Sequence, residues 1–150
     1  MFLASPPAGE ERLSLQDSFR FACRENLSCF NSCCRNKHLP LTPYDVLRLK
    51  NALGLSSDEF LSRHTVYNID PHSGFPVISI RMEDDEKRTC PFVSPEGCKV
   101  YRNHPTACRL YPLARAAGAA TAGRERKSFY YMLDIPGCLG SNEAEPRTVD

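Results

Sequence analysis

Hydrophobic residues recur at helical spacing in one stretch near the middle of the chain, at Val46, Leu47, Leu49 and Leu53. Thr42 fits the N-cap position ahead of this stretch, with Pro43 at the first helical position and Asp45 at the third. A carboxylate at the third position also suits the positive end of the helix dipole. Gly54 follows the last apolar residue, so the pattern predicts that the helix ends there.

A second, shorter helix is predicted directly after the first. Ser56 and Glu59 have the spacing of a capping box, and Phe60 begins the apolar positions behind them. The pattern ends near His64. The two helices together predict a helical hairpin.

Alternating apolar and polar residues predict two strands, over residues 75–82 and 127–135. In the second of these, the aromatic and aliphatic side chains share one face. Residues 94–97 have the composition of a tight turn. This turn predicts a small hairpin that brings Cys90 and Cys98 toward each other.

The segments between these elements show no clear period. Residues 23–37 are predicted to form a loop wrapped around ligands. A short helix is expected from Pro105, carrying Cys108 and ending before Pro112. The small, glycine-interrupted composition of residues 114–123 predicts a mobile loop.

Eight cysteines provide the main candidate chemistry of this 150-residue chain: Cys23, Cys29, Cys33, Cys34, Cys90, Cys98, Cys108 and Cys138. The first residues lack a basic region followed by an apolar core, so we expect no signal peptide. No apolar run approaches the ~18 residues of a membrane span. We therefore expect a cytoplasmic, reducing location, where clustered cysteines bind metal more often than they form disulfides. Disulfides and unliganded thiols remain alternatives.

The charge balance argues against binding to nucleic acid through bulk electrostatics, because the net charge is only +1. Metal-bound cysteines are thiolates, which would make the site itself negative. Basic residues near the cysteines would lower the pKa of the thiols, or they are ordinary surface charges: Arg24, Arg35, Lys37, Arg88, Lys99, Arg102 and Arg109.

The cysteine spacing indicates metal but leaves its identity open. Cys29 and Cys33 have the separation of zinc ligands, whereas the interval from Cys23 to Cys29 is wider than usual. We expect the adjacent side chains of Cys33 and Cys34 to point apart. This pair therefore predicts two metal centres or one polynuclear cluster, with zinc and an iron–sulfur centre both possible.

Other candidate groups are few. His38 and His104 each lie four residues from a cysteine, so each is a candidate zinc ligand or a solvated side chain. The sequence contains no glycine-rich phosphate loop, no Gly-x-Ser-x-Gly and no His-Glu-x-x-His. It identifies no catalytic residue.

Three blocks of the sequence carry a family resemblance. The first contains Phe21-Ala22-Cys23, Cys29-x3-Cys33-Cys34 and Leu41-Thr42-Pro43-Tyr44-Asp45. The second contains Cys90-Pro91-Phe92, Gly97-Cys98-Lys99-Val100-Tyr101 and the segment from His104 to Pro112, and the third is Cys138-Leu139-Gly140. These blocks resemble the YkgJ-type cysteine-cluster family of zinc- or iron-chelating domains. The resemblance implies metal chelation by all eight cysteines, for a structural, metal-handling or electron-transfer role.

Two further classes of function stay open. Flagellin lysine methylases carry a similar cluster, so the resemblance also implies an enzyme, or an enzyme partner, in protein modification. Residues 42–64 have helix-turn-helix proportions, but the acidic start of the second helix is unsuited to nucleic acid. The expected partners are a metal ion and, as a further option, another protein, with no membrane contact.

The predicted fold is α+β. We expect a small, irregular single domain, with a helical hairpin and short strands organised around a cysteine-ligated metal centre. This cysteine-cluster domain is expected to span residues 19–140, between flexible tails over residues 1–18 and 141–150.

Overall fold

The structure is a computed structural model that describes residues 12–71, 74–117, 128–143 and 145–149. The chain divides into a central unit, Cys29–Arg109, and a terminal unit made of Met1–Ser28 and Leu110–Asp150. The described elements are helices and short antiparallel strand pairs, which confirms the predicted α+β class. No helix within the described ranges is long and apolar enough to cross a membrane.

The predicted helical hairpin is confirmed in the central unit. Helix α1 spans Pro43–Leu53 and helix α2 spans Ser57–His64. At each start the N-cap side chain, Thr42 or Ser56, accepts a hydrogen bond from the third helical amide, and the third side chain bonds back to the N-cap amide. Gly54 ends α1 with a φ of 67°, a conformation that glycine adopts without strain.

The hairpin packs on the core of the central unit. Leu49 and Phe60 are fully buried there, together with other members of one hydrophobic cluster, Ile80, Cys90, Phe92 and Val100. Leu47 is 46% exposed, so its predicted place in the apolar stripe is wrong. Successive residues of a helix are turned by about 100°, and the side that carries Leu49 and Val46 faces the core instead.

A strand pair follows the helices. Strand β2 (Thr65–Ile69) is antiparallel to β3 (Pro76–Ile80), and β3 confirms the predicted strand over a shorter range. On the other side of β3, the Leu41 amide donates to the Ile78 carbonyl at 2.8 Å and the Ile80 amide donates to the Leu39 carbonyl at 3.0 Å. The chain ahead of α1 therefore covers one edge of this pair.

The next elements carry cysteines. Strands β4 (Val93–Ser94) and β5 (Gly97–Cys98) form the hairpin predicted at the 94–97 turn. Helix α3 (Thr106–Leu110) is the predicted short helix with Cys108.

The carboxylate of Asp45 joins the starts of α1 and α3. Asp45 is 2% exposed, and one oxygen accepts hydrogen bonds from the Thr42 amide at 2.9 Å and its hydroxyl at 2.8 Å. The other oxygen accepts from the amide and the hydroxyl of Thr106, both at 2.8 Å. Burial opposes ionisation, but these hydrogen bonds prevail and lower the pKa of Asp45. Helix α3 is thereby tied to α1 by a charged group.

The terminal unit contains two more strand pairs. Strand β1 (Ser18–Arg20) pairs with β8 (Pro146–Thr148), and β6 (Leu113–Ala117) pairs with β7 (Ser128–Met132). Strand β7 lies within the segment predicted to be a strand. The prediction of a mobile loop over residues 114–123 is wrong for residues 114–117, because these residues pair with β7. Its remainder, residues 118–123, lies outside the described residues.

Parts of the segments expected to be tails also have backbone partners. Strand β8 falls within the predicted C-terminal tail, and the Leu13 amide donates to the Tyr130 carbonyl at 2.7 Å. The Phe21 amide donates to the Glu145 carbonyl at 3.2 Å. Residues near both ends of the described chain are therefore hydrogen-bonded to other segments of the terminal unit.

Gly140 lets two segments of the terminal unit approach closely. The Ala22 amide donates to the Gly140 carbonyl at 3.1 Å, and the Phe21 ring lies against the Cα of Gly140. A Cβ at Gly140 would meet the Phe21 ring edge, with one ring carbon at 2.8 Å. Phe21 is itself buried and packs edge-on against Tyr111, so the ring has little room to move.

Replacing Asp45 by Asn is expected to lower the free energy of unfolding by about 2–3 kcal/mol, because an amide group would face buried donors in place of an accepting oxygen. Urea unfolding measures the change. The matched control is Asp58→Asn, which alters an exposed acid in the first turn of α2 and should cost less than about 0.5 kcal/mol. Equal losses in the two variants would contradict the role of Asp45.

Gly140→Ala is expected to cost about 1–3 kcal/mol through overpacking against Phe21. The same urea experiment measures it, with Ser141→Ala at the exposed neighbouring position as control. An alanine variant as stable as the wild type would show that the Phe21 ring moves aside freely.

Candidate metal centre

Six of the predicted ligands lie in the central unit: Cys29, Cys33, Cys34, Cys90, Cys98 and Cys108. Cys23 and Cys138 belong to the terminal unit. Cys90 is buried, Cys33 is exposed, and the side chains of Cys34, Cys98 and Cys108 are partly buried. Several separate segments of the central unit therefore contribute thiols.

Backbone hydrogen bonds hold the first cysteine loop against the segment that leads into Cys90. The Cys90 amide donates to the Cys34 carbonyl at 2.8 Å. The Asn36 amide is shared by the carbonyls of Lys87 at 3.1 Å and Arg88 at 3.0 Å. The predicted loop thus has backbone partners from a distant part of the sequence, which position Cys34 beside Cys90.

The β4–β5 hairpin is bonded to the same two segments. The Val93 amide donates to the Cys90 carbonyl at 3.1 Å, and Val93 is the register partner of Cys98. The side-chain amide of Asn31 donates to the Ser94 carbonyl at 3.0 Å. Cys34 and Cys98 both pack against the hydrophobic cluster that contains Cys90. Because Val93 is bonded to Cys90 and is paired with Cys98, the hairpin holds these two cysteines in neighbouring segments, as the turn predicted.

Five of these thiols influence one another electrostatically. Burial, followed by the neighbouring thiolate charges of Cys90, Cys98 and Cys33, raises the pKa of Cys108 to about 12. Burial also raises the pKa of Cys90, with further contributions from Cys98 and Cys33. The pKa of Cys98 is raised first by burial and then by Cys33. Since each negative charge disfavours the next, a nearby cation would favour ionisation of the group.

The pKa values of Cys33 and Cys34 shift in opposite directions through a side-chain hydrogen bond between the two thiols, which argues against the expectation that they point apart. They lie in a 3₁₀ turn, Ser32–Cys34, where successive side chains are about 120° apart rather than opposed as in a strand. The Cys34 hydrogen bond lowers the pKa of Cys33 to about 6, and the same bond raises the pKa of Cys34. The pair therefore favours a thiolate at Cys33 and a thiol at Cys34.

The basic residues near the cysteines have different roles. Lys37 contributes to lowering the pKa of Cys33, as a cationic surround would. Arg24 instead forms ion pairs with Glu143 at 3.4 Å and Glu145 at 2.8 Å within the terminal unit. Lys37 therefore lowers a thiol pKa, whereas Arg24 is a surface charge paired with other residues.

The two candidate histidines have other contacts. His38 Nε2 lies 2.9 Å from the hydroxyl of buried Ser79 on β3. The His104 ring packs edge-on against Tyr101, with ring centroids 4.6 Å apart. Burial and then Arg109 lower the pKa of His104, so its imidazole is neutral at pH 7. Neutral imidazole is the form that binds metal.

Among the described residues, no group of three or more His, Cys, Asp or Glu side chains is arranged so that it could hold a metal ion. The donor chemistry of the coupled thiols nevertheless fits zinc or iron, since both metals accept several cysteine sulfurs. Backbone hydrogen bonds hold the segments of Cys34, Cys90 and Cys98 together, and the Asp45 side chain ties the helix of Cys108 to α1. Rotation of these side chains would be needed for them to share one centre.

Two supporting residues have a larger role than the sequence suggested. The sequence places Asp45 at the third helical position, where its charge suits the helix dipole, but one oxygen of this carboxylate also accepts hydrogen bonds from Thr106, two residues before Cys108. No local signal in the sequence marks Thr106 as the partner of Asp45. The contact that places Cys108 is nonlocal.

Residues 22–134 match one protein-family model, "CxxCxxCC: Putative zinc- or iron-chelating domain". The matched range contains every cysteine except Cys138. No curated protein and no solved structure matches the chain.

In metal-free, reduced protein, Cys34→Ala is expected to raise the pKa of Cys33, because it removes the thiol that donates to the Cys33 sulfur. The pH dependence of iodoacetamide alkylation at Cys33, read by peptide mass spectrometry, should have a midpoint near 6 in the wild type and a higher one in the variant. Ser32→Ala, in the same turn, is the control. Identical midpoints in wild type and Cys34→Ala would contradict the hydrogen-bonded pair.

Proposed function

The chain belongs to this cysteine-cluster family, as the three sequence blocks predicted, and we propose that its central unit binds zinc or iron through the coupled thiols Cys33, Cys34, Cys90, Cys98 and Cys108. The observation that carries the proposal is the convergence of cysteine-bearing segments, since the Cys90 amide donates to the Cys34 carbonyl at 2.8 Å and the Val93 amide donates to the Cys90 carbonyl at 3.1 Å. The mutual electrostatic influence of the five thiols supports it. Cys29 in the same unit, and Cys23 and Cys138 in the terminal unit, remain predicted ligands.

A metal ion would resolve the electrostatic conflict among these groups. Burial and mutual repulsion keep Cys90, Cys98 and Cys108 protonated, whereas a divalent cation stabilises thiolates. Metal binding would release these protons. The free energy of binding would therefore include the cost of turning the side chains toward the ion and of deprotonating them.

The role that these contacts favour is structural. The ligands come from the 3₁₀ turn at Ser32–Cys34, from Cys90, from β5 and from α3, which are distant in sequence. A shared metal would cross-link these segments, so its binding free energy would add to the free energy of folding. The strand pairs of this unit are short, and such pairs need additional stabilisation.

An iron–sulfur or other polynuclear centre is the second candidate. A single tetrahedral ion takes four ligands, but five thiols influence one another here. Cys33 and Cys34 also touch through their side chains, as neighbouring ligands of one cluster would. An iron–sulfur centre would supply electron transfer. A cytoplasmic location would suit either centre, because thiols remain reduced there.

Protein purified without oxygen is expected to contain zinc or iron in a fixed ratio to the chain. Elemental analysis, acid-labile sulfide and the visible spectrum distinguish the candidates: iron with matched sulfide and brown colour indicates an iron–sulfur centre, and colourless zinc protein indicates a structural site. Reduced protein with neither metal, which also fails to take up either from solution, would overturn the proposal.

Cys33→Ser tests the assignment of ligands within this experiment. Cys33 is exposed, so its replacement removes a ligand without opening a cavity in the core. The variant is expected to lose bound metal and to melt at a lower temperature, while Ser32→Ala retains both. Full metal content and an unchanged melting temperature in Cys33→Ser would exclude Cys33 as a ligand.

A further inference from the structure

The outer side of α1 exposes apolar and aromatic side chains in the central unit. Tyr44 is 62% exposed, and Leu47, three residues further along the helix, is exposed on the same side. Leu49 lies on the opposite side of the helix, where it packs in the core. Helix α1 therefore presents Tyr44 and Leu47 to solvent rather than to the hydrophobic cluster.

Arg48 connects this side of α1 to a second exposed segment. Its guanidinium lies over the Tyr44 ring, 5.8 Å from the centroid, and donates to the Arg102 carbonyl at 2.6 Å. A further hydrogen bond runs to Asn103 Oδ1 at 3.4 Å. Arg102 and Asn103 belong to a 3₁₀ turn that begins with Tyr101, a residue 72% exposed. One arginine thus holds two exposed tyrosine segments side by side.

This part of the surface carries positive charge without an exposed acid. Within residues 43–53 and 99–110 the one acidic residue is Asp45, which is buried and bonded to the two helix starts. The same two ranges contain five basic residues: Arg48, Lys50, Lys99, Arg102 and Arg109. Lys99 lies near the carboxylate of Glu96, but Arg48 and Arg102 form no ion pair within the described part of the chain. Their charges are therefore available to an anionic partner.

We propose that this face, made of Tyr44, Leu47, Arg48, Tyr101 and Arg102, docks an acidic segment of a partner polypeptide that also carries apolar side chains. Carboxylates of the segment pair with the two arginines, and its apolar side chains pack on Leu47 and the tyrosine rings. Tyrosine and arginine are among the residue types that contribute most of the binding energy at protein interfaces. Arg48 is already held by the turn, so binding costs it little further side-chain entropy.

Two features favour a polypeptide over a single-stranded nucleic acid. The net charge of the chain is only +1, so it lacks the broad positive field with which proteins attract a phosphate backbone. Leu47 beside Tyr44 is an aliphatic contact, whereas bases bind mainly by stacking on aromatic rings. A segment with both acidic and apolar side chains matches both kinds of group on this face.

Fluorescence anisotropy of the intact, reduced, metal-loaded chain with a labelled peptide of sequence EDEFEDLEDE tests the proposal. The peptide is expected to bind at low ionic strength and more weakly as salt is added, because salt screens exposed charges. The basic counterpart KRKFKRLKRK is not expected to bind. Absence of binding by the acidic peptide at the lowest salt concentration would overturn the proposal, and so would equal binding of both peptides.

Paired variants locate the binding face. Tyr44→Ala and Arg102→Glu should each weaken binding of the acidic peptide at least about tenfold. The matched controls are Tyr67→Ala, at a 76% exposed tyrosine of β2, and Arg63→Glu, at an arginine of α2 whose side chain is 63% exposed. Both controls should bind as the wild type does, and circular dichroism establishes that each variant is folded. Equal losses in variants and controls would contradict docking at this face.

A labelled oligothymidylate of the same length is the competing probe. If it binds more tightly than the acidic peptide, and Tyr44→Ala weakens that binding, the face serves single-stranded nucleic acid and the polypeptide proposal is overturned. No residue of this face is a proposed metal ligand. Metal content is measured on the same samples, so failure of peptide binding and failure of the proposed metal site are distinguishable.

Discussion

The buried carboxylate of Asp45 is the contact on which the arrangement of the central unit depends. It accepts hydrogen bonds from the amide and hydroxyl of Thr42 and of Thr106, so one negative charge satisfies the start of α1 and the start of α3 together. Helix α1 packs on the core through Leu49, and α3 carries Cys108. A buried charge without hydrogen-bond partners is costly. These hydrogen bonds therefore fix the position of the α3 start relative to the α1 start.

The cysteines combine two properties that oppose each other. As small apolar groups they help to fill the core, and Cys90 is a full member of the hydrophobic cluster. Burial, however, makes ionisation unfavourable, and each thiolate makes the next harder to form. The exposed Cys33 and its hydrogen-bonded neighbour Cys34 are the exception, since their pair ionises near neutral pH. In the proposed metal-bound state, the cation offsets the charges that the core disfavours.

The short strand pairs explain why the central unit presents both a ligand cluster and an open edge. Each described sheet has two strands, and two-stranded sheets bury little and leave edges unpaired. One edge of the β2–β3 pair is covered by the chain that leads into α1. The proposed metal centre would add stabilisation that these small sheets do not supply by themselves.

Features that depend on neighbouring residues could be predicted from the sequence. Capping residues and glycine set both helices of the hairpin, the turn at residues 94–97 set the β4–β5 pair, and the cysteine pattern identified the family. Features that depend on contacts between distant residues became visible only in the folded chain. Strand β2, the pairing of β1 with β8 and the bond from Asp45 to Thr106 have partners far away in the chain, so no local pattern predicts them. The Cys33–Cys34 contact was likewise missed, because it depends on a 3₁₀ turn whose backbone is held against the segment at Cys90.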